Sequence, residues 1–430
     1  MSSLATASIP ITSTDLSTER TAGRSSVPMV VFALTLLVLV ASGSAPSPLY
    51  PIYQAEWGIP ALELTIVFAA YVVGLLVTLL TAGSLSDHVG RKPIVLGGLV
   101  VSLTAMGIFT FAGSGMTLII ARIVQGLAIG LVTGALGAGM IDHQPTHRPL
   151  AAFLNGVTPP VALTVGSLGS GALVQFVGAP EKTVFLVMAG LMILAGIAVA
   201  LTPERSPRRP GALASLRPTV RVPASSKSLF AGVIGCMIAS WALVGLYLAF
   251  AGSVLRELFD ISHPLATGGI IAVFTGFGAL TGIVISRFDA RRSMLVGVGA
   301  LIVGPIVTVA GLWGTSLPTF VVGTAIAGIG FGAGFQGGLR LLLATAPVEE
   351  RAGLLSSIYV GSYLAFGLPS IAAGALVPAL GLTVVLTYYA GFVIVCAVVA
   401  LVLQRILRPS ARAELRADAV EQAELAQRSE

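Results

Sequence analysis

Arg122 and Gln125 are polar side chains inside an apolar stretch, where they could do chemistry. Arg122 lies some five residues inside a stretch that runs from about 117 to 140, roughly 8 Å deep at 1.5 Å per residue. Gln125 follows three residues later, so the two side chains share one face of a helix. A cation within a membrane is costly, and its presence predicts a functional role. The alternative is that Arg122 extends to the membrane surface.

A second candidate is the loop from Gly83 to Pro93, which reads GSLSDHVGRKP. Glycine at position 83 permits close helix contact, and Gly90 permits a tight turn. Asp87 can face the positive N-terminal end of a helix, and Arg91 can pair with a carboxylate. These residue types predict a contact that holds helices in one arrangement. The alternative is an ordinary basic loop that sets membrane topology.

The composition indicates a membrane protein. Of the 430 residues, 55% are hydrophobic and 10% are charged, whereas a soluble domain has about 25% charged residues. The net charge is +6, but the basic residues lie in short loops and tails, which argues against nucleic-acid binding. The four histidines show no metal-ligand spacing, and no catalytic constellation is present. We therefore expect neither an enzyme nor a cofactor or metal site.

Twelve apolar segments are each long enough to cross a bilayer, which takes roughly 20 residues. Solid apolar runs of this kind are not typical of a membrane barrel. The predicted fold class is an all-α membrane protein with twelve transmembrane helices in two six-helix bundles. The predicted regions are a cytoplasmic tail (1–27), the first bundle (28–202), a cytoplasmic linker (203–227), the second bundle (228–404) and a second cytoplasmic tail (405–430).

The distribution of lysine and arginine predicts the orientation. If the N-terminus is cytoplasmic, 20 of the 24 basic residues fall on that side and two, Lys182 and Arg256, fall on the other. The remaining two lie within spans. Basic loops stay in the cytoplasm, so the sequence predicts an inner (plasma) membrane protein with both termini cytoplasmic.

The two halves of the sequence repeat each other weakly. A shift of 202 residues lays Gly126-x-x-x-Gly130 on Gly328-x-x-x-Gly332, and it lays Arg122 on Thr324. The repeat favours two related bundles, and such bundles place the substrate between them near the middle of the membrane. The charge at Arg122 is therefore expected in the first half only.

The loop and the Arg122-x-x-Gln125-Gly126 segment resemble motifs of the major facilitator superfamily. The resemblance extends to the spans, the loop lengths and the half repeat. It implies a secondary transporter in which the aspartate of the loop meets the start of the eleventh span, near Ala352, and the arginine meets an acid at the end of the fourth, where Asp142 lies. The implied conformational latch consists of Gly83, Asp87, Gly90, Arg91, Lys92 and Asp142.

For Arg122 and Gln125 the resemblance implies a position facing the cavity and a role in proton coupling or substrate binding. The sequence lacks the acid that drug–proton antiporters of the superfamily keep in the first helix, because none of the 18 acidic residues lies deep in a span. Glu63 is the only plausible proton carrier near Arg122, and a plain interface role for Glu63 is its alternative. The antiporter motif of the fifth helix is also incomplete, and Pro159-Pro160 are expected to break that helix.

Further polar side chains could line a cavity. Tyr359 and Tyr363 are four residues apart, so on one helix face they could stack against an aromatic substrate; helix packing is the alternative. The candidates are Tyr50, Tyr71, Asn155, Thr158, Trp241, Tyr247, Gln336, Tyr359 and Tyr363.

The resulting hypothesis is a secondary active transporter that works by alternating access and exports lipophilic or cationic small molecules with protons as the coupling ion. A transporter of small organic anions that uses Arg122 as substrate ligand is the alternative, and a polytopic membrane sensor or enzyme is a remote one. The expected partners are a small-molecule substrate and the lipid bilayer. The sequence does not predict the oligomeric state, for which a monomer is one option.

Overall fold

The structure is a computed structural model that describes residues 26–145, 150–206, 209–216, 218, 220–347 and 350–406. Nearly all of the two predicted tails, together with a few residues of the linker, lie outside the described residues. All regular structure in the described part of the chain is helical. Twelve of its helical segments are long and apolar enough to cross a membrane, which confirms the predicted fold class.

The first half contains six membrane-crossing segments and one short helix in a loop. Its first crossing is made of two helices, α1 and α2, separated by a short 3-10 turn at Ser47–Leu49. The helices are α1 Val27–Ser44, α2 Tyr50–Trp57, α3 Ala61–Ala82, α4 Ser86–Val89, α5 Arg91–Thr110, α6 Gly115–Asp142, α7 Leu150–Phe176 and α8 Pro180–Leu201.

The second half contains six further crossings, one helix each. Its first helix, α9, is continuous over 33 residues, unlike the interrupted first crossing of the other half. The helices are α9 Lys227–Phe259, α10 Pro264–Ile285, α11 Ala290–Trp313, α12 Leu317–Thr345, α13 Arg351–Leu380 and α14 Leu382–Ile406.

Prolines cause the interruption between α1 and α2. Pro46 and Pro48 have no amide N–H, so Pro46 cannot donate the helical hydrogen bond to the carbonyl of Ser42. The chain takes a 3-10 turn here, in which Leu49 N–H donates to Pro46 O at 3.0 Å. The carbonyls left free in this turn need other donors, because unpaired backbone groups are costly in a membrane.

The expected break of the fifth span at Pro159-Pro160 is wrong, because both prolines lie inside the continuous helix α7. Proline is tolerated in membrane helices when neighbouring helices satisfy the carbonyls that it frees. Pro160 frees the carbonyl of Gly156, and the Nε2 of Gln336 in α12 donates to this oxygen at 3.2 Å. A side chain from the other half therefore stabilises the helix.

Glycines let helices cross at close range in both halves. A Cβ added at Gly126 or Gly130 of α6 would collide with the backbone carbonyls of Tyr71 and Leu75 in α3. Small residues allow such close backbone approach in membrane helices. The pair α10 and α12 is built in the same way, because a Cβ at Gly328 or Gly332 would collide with carbonyls of α10.

The two halves meet along α3 with α13 and along α7 with α10. Thr164 and Thr275 share a hydrogen bond of 2.8 Å between α7 and α10. The α3–α5 loop and the inter-half linker lie together at one end of the molecule, called the linker end from here on. At the opposite end, Arg256 of α9 donates to Pro51 O and to Gln54 Oε1 of α2, both at 3.0 Å, and these bonds join the halves there.

Candidate functional site

Arg122 is fully buried, with 1% of its surface exposed, so it does not extend to the membrane surface. Its Nη1 donates to Gly43 O at 2.9 Å and to Gln125 Oε1 at 2.8 Å. Its Nη2 donates to the hydroxyl of Tyr50. The guanidinium therefore lies against the break between α1 and α2, and it joins α6 to that break.

Gln125 completes the contact. Its Nε2 donates to the carbonyl of Ser42 at 2.9 Å and to the hydroxyl of the same serine at 3.3 Å. This carbonyl is the one that Pro46 deprives of its helical donor. Ser170 of α7 donates to the carbonyl of Ala45. The local sequence thus explains the position of both α6 side chains, because the prolines create acceptors and Arg122 and Gln125 supply donors.

The charge of Arg122 has no carboxylate partner among the described residues, whose ion pairs both belong to Arg91. Three aromatic rings surround it instead: its Cζ lies 5.7 Å from the ring centre of Tyr50, 5.9 Å from that of Phe109 and 6.0 Å from that of Tyr71. Aromatic faces attract a cation. The Nε atom is buried and has no hydrogen-bond partner, so this N–H group is available as a donor.

The α3–α5 loop brings Arg91 to Asp142, whose Oδ2 lies 3.2 Å from the Arg91 Nε. Arg91 also donates to Asp87 and to the hydroxyl of Ser86. Gly90 has φ +111°, a conformation that favours glycine, and it turns the chain from α4 into α5. Asp87 has 52% of its side chain exposed, and it pairs with Arg91 within the loop rather than with the start of α13.

Lys92, the remaining loop candidate, contacts the linker. Its backbone N–H donates to Glu204 at 2.8 Å, and its Nζ donates to the carbonyls of Thr202 at 3.1 Å and of Ala200. It thereby holds the end of α8. Gly83 directly follows α3, and a Cβ added there would collide with the carbonyl oxygen of Leu79 in that helix.

Glu63 lies away from Arg122. Its carboxyl packs against Gly115, the first residue of α6, where the helix dipole favours an anion. Arg122 lies seven residues further along the same helix, or roughly 10 Å at 1.5 Å per residue. The structure therefore does not bring these two candidates together.

Asn155 and Gln336 bind backbone carbonyls around α7. Asn155 Nδ2 donates to Gly137 O of α6 at 3.3 Å, and Gln336 bonds to Gly156 as described above. Both residues are half-buried, as are Tyr359 and Tyr363. The rings of Tyr359 and Tyr363 lie 6.2 Å apart, centre to centre, so this pair does share one face of α13.

Sequence reasoning named three members of an aromatic cluster at the interface of the halves and missed the other three. The aromatic cluster consists of Trp241, Phe331, Phe335, Tyr359, Tyr363 and Phe366. Trp241 of α9 lies 4.8 Å from the ring of Tyr363 and 5.6 Å from that of Phe335. Phe366 lies 4.5 Å from Phe68 of the first half, so the cluster reaches the first half. A signal existed, because residues 359, 363 and 366 have helical spacing.

A carboxyl pair was also missed. The carboxyl of Glu181, in the first turn of α8, lies within reach of the side chain of Glu56 at the end of α2. Two carboxylates this close disfavour a double negative charge. The two residues are 125 positions apart in the sequence, which gave no signal, because only the packing of α8 against the first crossing brings them together.

The arrangement defines the class of protein: two helical bundles with an aromatic cluster and a buried cation near their interface make a membrane transporter, not an enzyme. A family profile described as Major Facilitator Superfamily matches residues 32–307 and 277–427. The chain belongs to this superfamily and is a secondary transporter.

Two curated relatives share the name multidrug resistance protein MdtL. The protein from Shewanella oneidensis is 26% identical over 320 residues, which cover 72% of this chain and 78% of the relative. The protein from Klebsiella pneumoniae is 25% identical over 380 residues, which cover 84% of this chain and 90% of the relative.

Solved structures have the same fold. The human organic anion transporter MFSD10 has a TM-score of 0.66 at 15% identity and covers 87% of this chain and 99% of its own. A bacterial homolog of the human lysosomal transporter Spinster, in an inward-facing and occupied conformation, has a TM-score of 0.67 at 14% identity, with 89% and 98% covered. At these identities the likeness shows the fold alone.

Proposed function

We propose that this transporter exports small lipophilic compounds, including drug-like ones, by alternating access driven by the proton gradient. The observation that carries the proposal is the aromatic cluster at the interface of the halves, the position where transporters of this architecture bind substrate. Six rings on three helices provide large apolar contact area at low entropic cost. The name of the curated relatives, multidrug resistance protein, supports the same substrate class.

For the coupling proton we propose the Glu56–Glu181 pair as the carrier. Two carboxyls within hydrogen-bonding reach disfavour a double negative charge and hold one proton between them. Both residues lie at the opposite end, which is the outer end if both termini are cytoplasmic and the protein lies in the inner membrane, as the basic residues favour. A proton can therefore enter the pair from the side of higher proton concentration.

We further propose that Gly83, Asp87, Gly90, Arg91, Lys92 and Asp142 act as the latch of the linker end. The Arg91–Asp142 and Lys92–Glu204 contacts support this, because they tie the α3–α5 loop to the ends of α6 and α8. In the described arrangement the opposite end is joined by Arg256, while Asp87 bonds within its own loop. We expect Asp87 to contact the start of α13 instead once the linker end closes.

The test is transport in proteoliposomes with an imposed pH gradient, using neutral lipophilic dyes, cationic dyes and aromatic acids. We expect gradient-driven movement of the lipophilic dyes, and we expect Arg122→Ala to abolish it. Arg340→Ala is the matched control, because Arg340 also lies in a span, where its guanidinium donates to Ile285 O and Phe288 O near the linker end. Dye movement that ignores the pH gradient would contradict proton coupling.

Transport of small organic anions is the second candidate, and Arg122 is the observation that favours it. A buried cation with a free Nε and no carboxylate partner can meet a substrate carboxylate directly. The same proteoliposomes distinguish the two functions. If only the aromatic acids move, and their movement is lost in Arg122→Ala, the protein transports organic anions and not lipophilic compounds.

A further inference from the structure

Trp241 has an unusual environment for a tryptophan inside a protein. Its indole Nε1 is buried and has no hydrogen-bond partner, although buried tryptophan N–H groups usually find one. An unpaired buried donor costs free energy. The indole N–H is a hydrogen-bond donor and not an acceptor. Its partner must therefore be a hydrogen-bond acceptor, such as a carbonyl oxygen.

The surroundings of Trp241 are aromatic. Phe331 and Phe366 stand edge-on to its ring at 6.4 Å and 6.0 Å, and Tyr363 and Phe335 lie closer. These ring contacts come from α12 and α13, so the indole is surrounded by flat apolar side chains. A ligand that contacts such side chains is favoured when it is itself flat and aromatic.

The first half adds electrostatic selection. Tyr71 lies 6.4 Å from Phe366, and the Cζ of Arg122 lies 6.0 Å from the ring of Tyr71. A positive charge thus stands one ring away from the cluster. Arg122 takes part in neither of the described ion pairs, so its positive charge disfavours a cationic ligand.

From these observations we infer that Trp241 is a specificity-determining residue: its indole N–H donates a hydrogen bond to an acceptor on a planar aromatic substrate, such as an aromatic ketone. The inference rests on the proposed function, because it names the substrate class of the same interface. The expected substrates are then lipophilic compounds that have a carbonyl or a similar acceptor and that carry no positive charge.

Equilibrium binding of radiolabelled fluorenone and fluorene to the full chain in lipid nanodiscs tests the inference, with empty nanodiscs as the background. The two probes have the same flat shape, but only fluorenone has a carbonyl. We expect fluorenone to bind the wild-type protein roughly three- to tenfold more tightly, the contribution of one hydrogen bond. In Trp241→Phe the ratio of the two affinities should fall to about one, because phenylalanine keeps an aromatic ring but has no N–H to donate.

Trp313→Phe is the matched control, because the Nε1 of Trp313 already donates to Thr387 Oγ1 at 3.0 Å; it should keep the preference. Equal binding of both probes to the wild-type protein, or no binding of either, would overturn the inference even if Trp241→Phe fails to fold. Export is measured separately in proteoliposomes. Preferential fluorenone binding without export would contradict the proposed function and leave the inference standing.

Discussion

The two halves are built alike where helices cross and differ where Arg122 lies. The glycine pairs of α6 and α12 make equivalent backbone contacts with α3 and α10. Thr324, the counterpart of Arg122, donates to Phe320 O of its own helix at 2.8 Å, and α9 has no break for it to bind. The crossing geometry is therefore shared, whereas the cation and the broken helix are features of the first half.

This difference suggests a division of labour. The first half holds the buried cation, the carboxyl pair and the loop with Arg91, and the second half supplies all six rings of the aromatic cluster. A charge buried in the membrane requires compensation, and the freed carbonyls of the α1–α2 break provide it. We expect variants in the first half to affect coupling and variants in the second half to affect substrate choice.

The largest effect should come from the shared crossings. Gly126→Val and Gly328→Val each force a side chain into a backbone carbonyl, so we expect each to destabilise the protein by about 3 kcal/mol. Unfolding in mixed micelles with increasing SDS measures this, and Gly107→Val is the control because a Cβ there meets nothing within 4 Å. If only one of the two variants is destabilised, the halves do not share their crossing geometry.

Arg122→Met should have the next largest effect. The substitution leaves the carbonyl of Gly43 and the side chain of Gln125 without a donor, at a cost of about 2 kcal/mol, and we expect transport to be lost. Thr324→Val at the equivalent position removes a bond within one helix and should cost less than about 1 kcal/mol. SDS unfolding and dye transport of both variants check this. Equal losses would remove the proposed asymmetry.

The sequence predicted the asymmetry only in part. Arg122 and Gln125 could be found because charged and amide side chains are rare in apolar stretches. Their partners could not, because the carbonyls of Ser42 and Gly43 become acceptors only once Pro46 has interrupted the helix. The helices themselves were predictable, since an apolar run of sufficient length has few alternatives in a bilayer.

Several contacts between residues distant in the sequence were beyond prediction. Pro159-Pro160 indicated a broken helix, because nothing local shows that Gln336 of the other half supplies a donor to Gly156. Glu63 was the nearest acid to Arg122 along the predicted helices, but the packing of α3 places it against Gly115. Such contacts depend on how helices rotate against one another, which a one-dimensional pattern does not fix.

Arg256→Ala should have a smaller effect, on conformation rather than on folding. It removes two hydrogen bonds between α9 and α2 at the opposite end. We therefore expect the free energy required to open that end to fall by about 1 kcal/mol. A cysteine introduced at Ile52, a half-buried position of α2, in the chain without Cys236 and Cys396 should react faster with a water-soluble maleimide. Arg340→Ala in the same background is the control, and an unchanged reaction rate would contradict a role for Arg256 in joining the halves.

The smallest change in stability, and the sharpest comparison, concerns Asp87 and Asp289. The shift of 202 residues that relates the two halves lays one of these acids on the other. Asp289 caps α11, where its Oδ2 accepts the N–H groups of Arg291 and Arg292, both at 3.1 Å. Asparagine caps as well as aspartate, so Asp289→Asn should change neither stability nor transport.

Asp87 instead accepts from Arg91 with half of its side chain exposed, and an exposed ion pair contributes about 0–1 kcal/mol to stability. Asp87→Asn should therefore fold normally, yet it should slow transport in proteoliposomes several-fold if the carboxylate must meet α13 when the linker end closes. Wild-type transport in Asp87→Asn would reduce its loop to a topology signal. The two loops would then be equivalent, because each acid would only form local contacts, Asp87 with Arg91 and Asp289 with the first turn of α11.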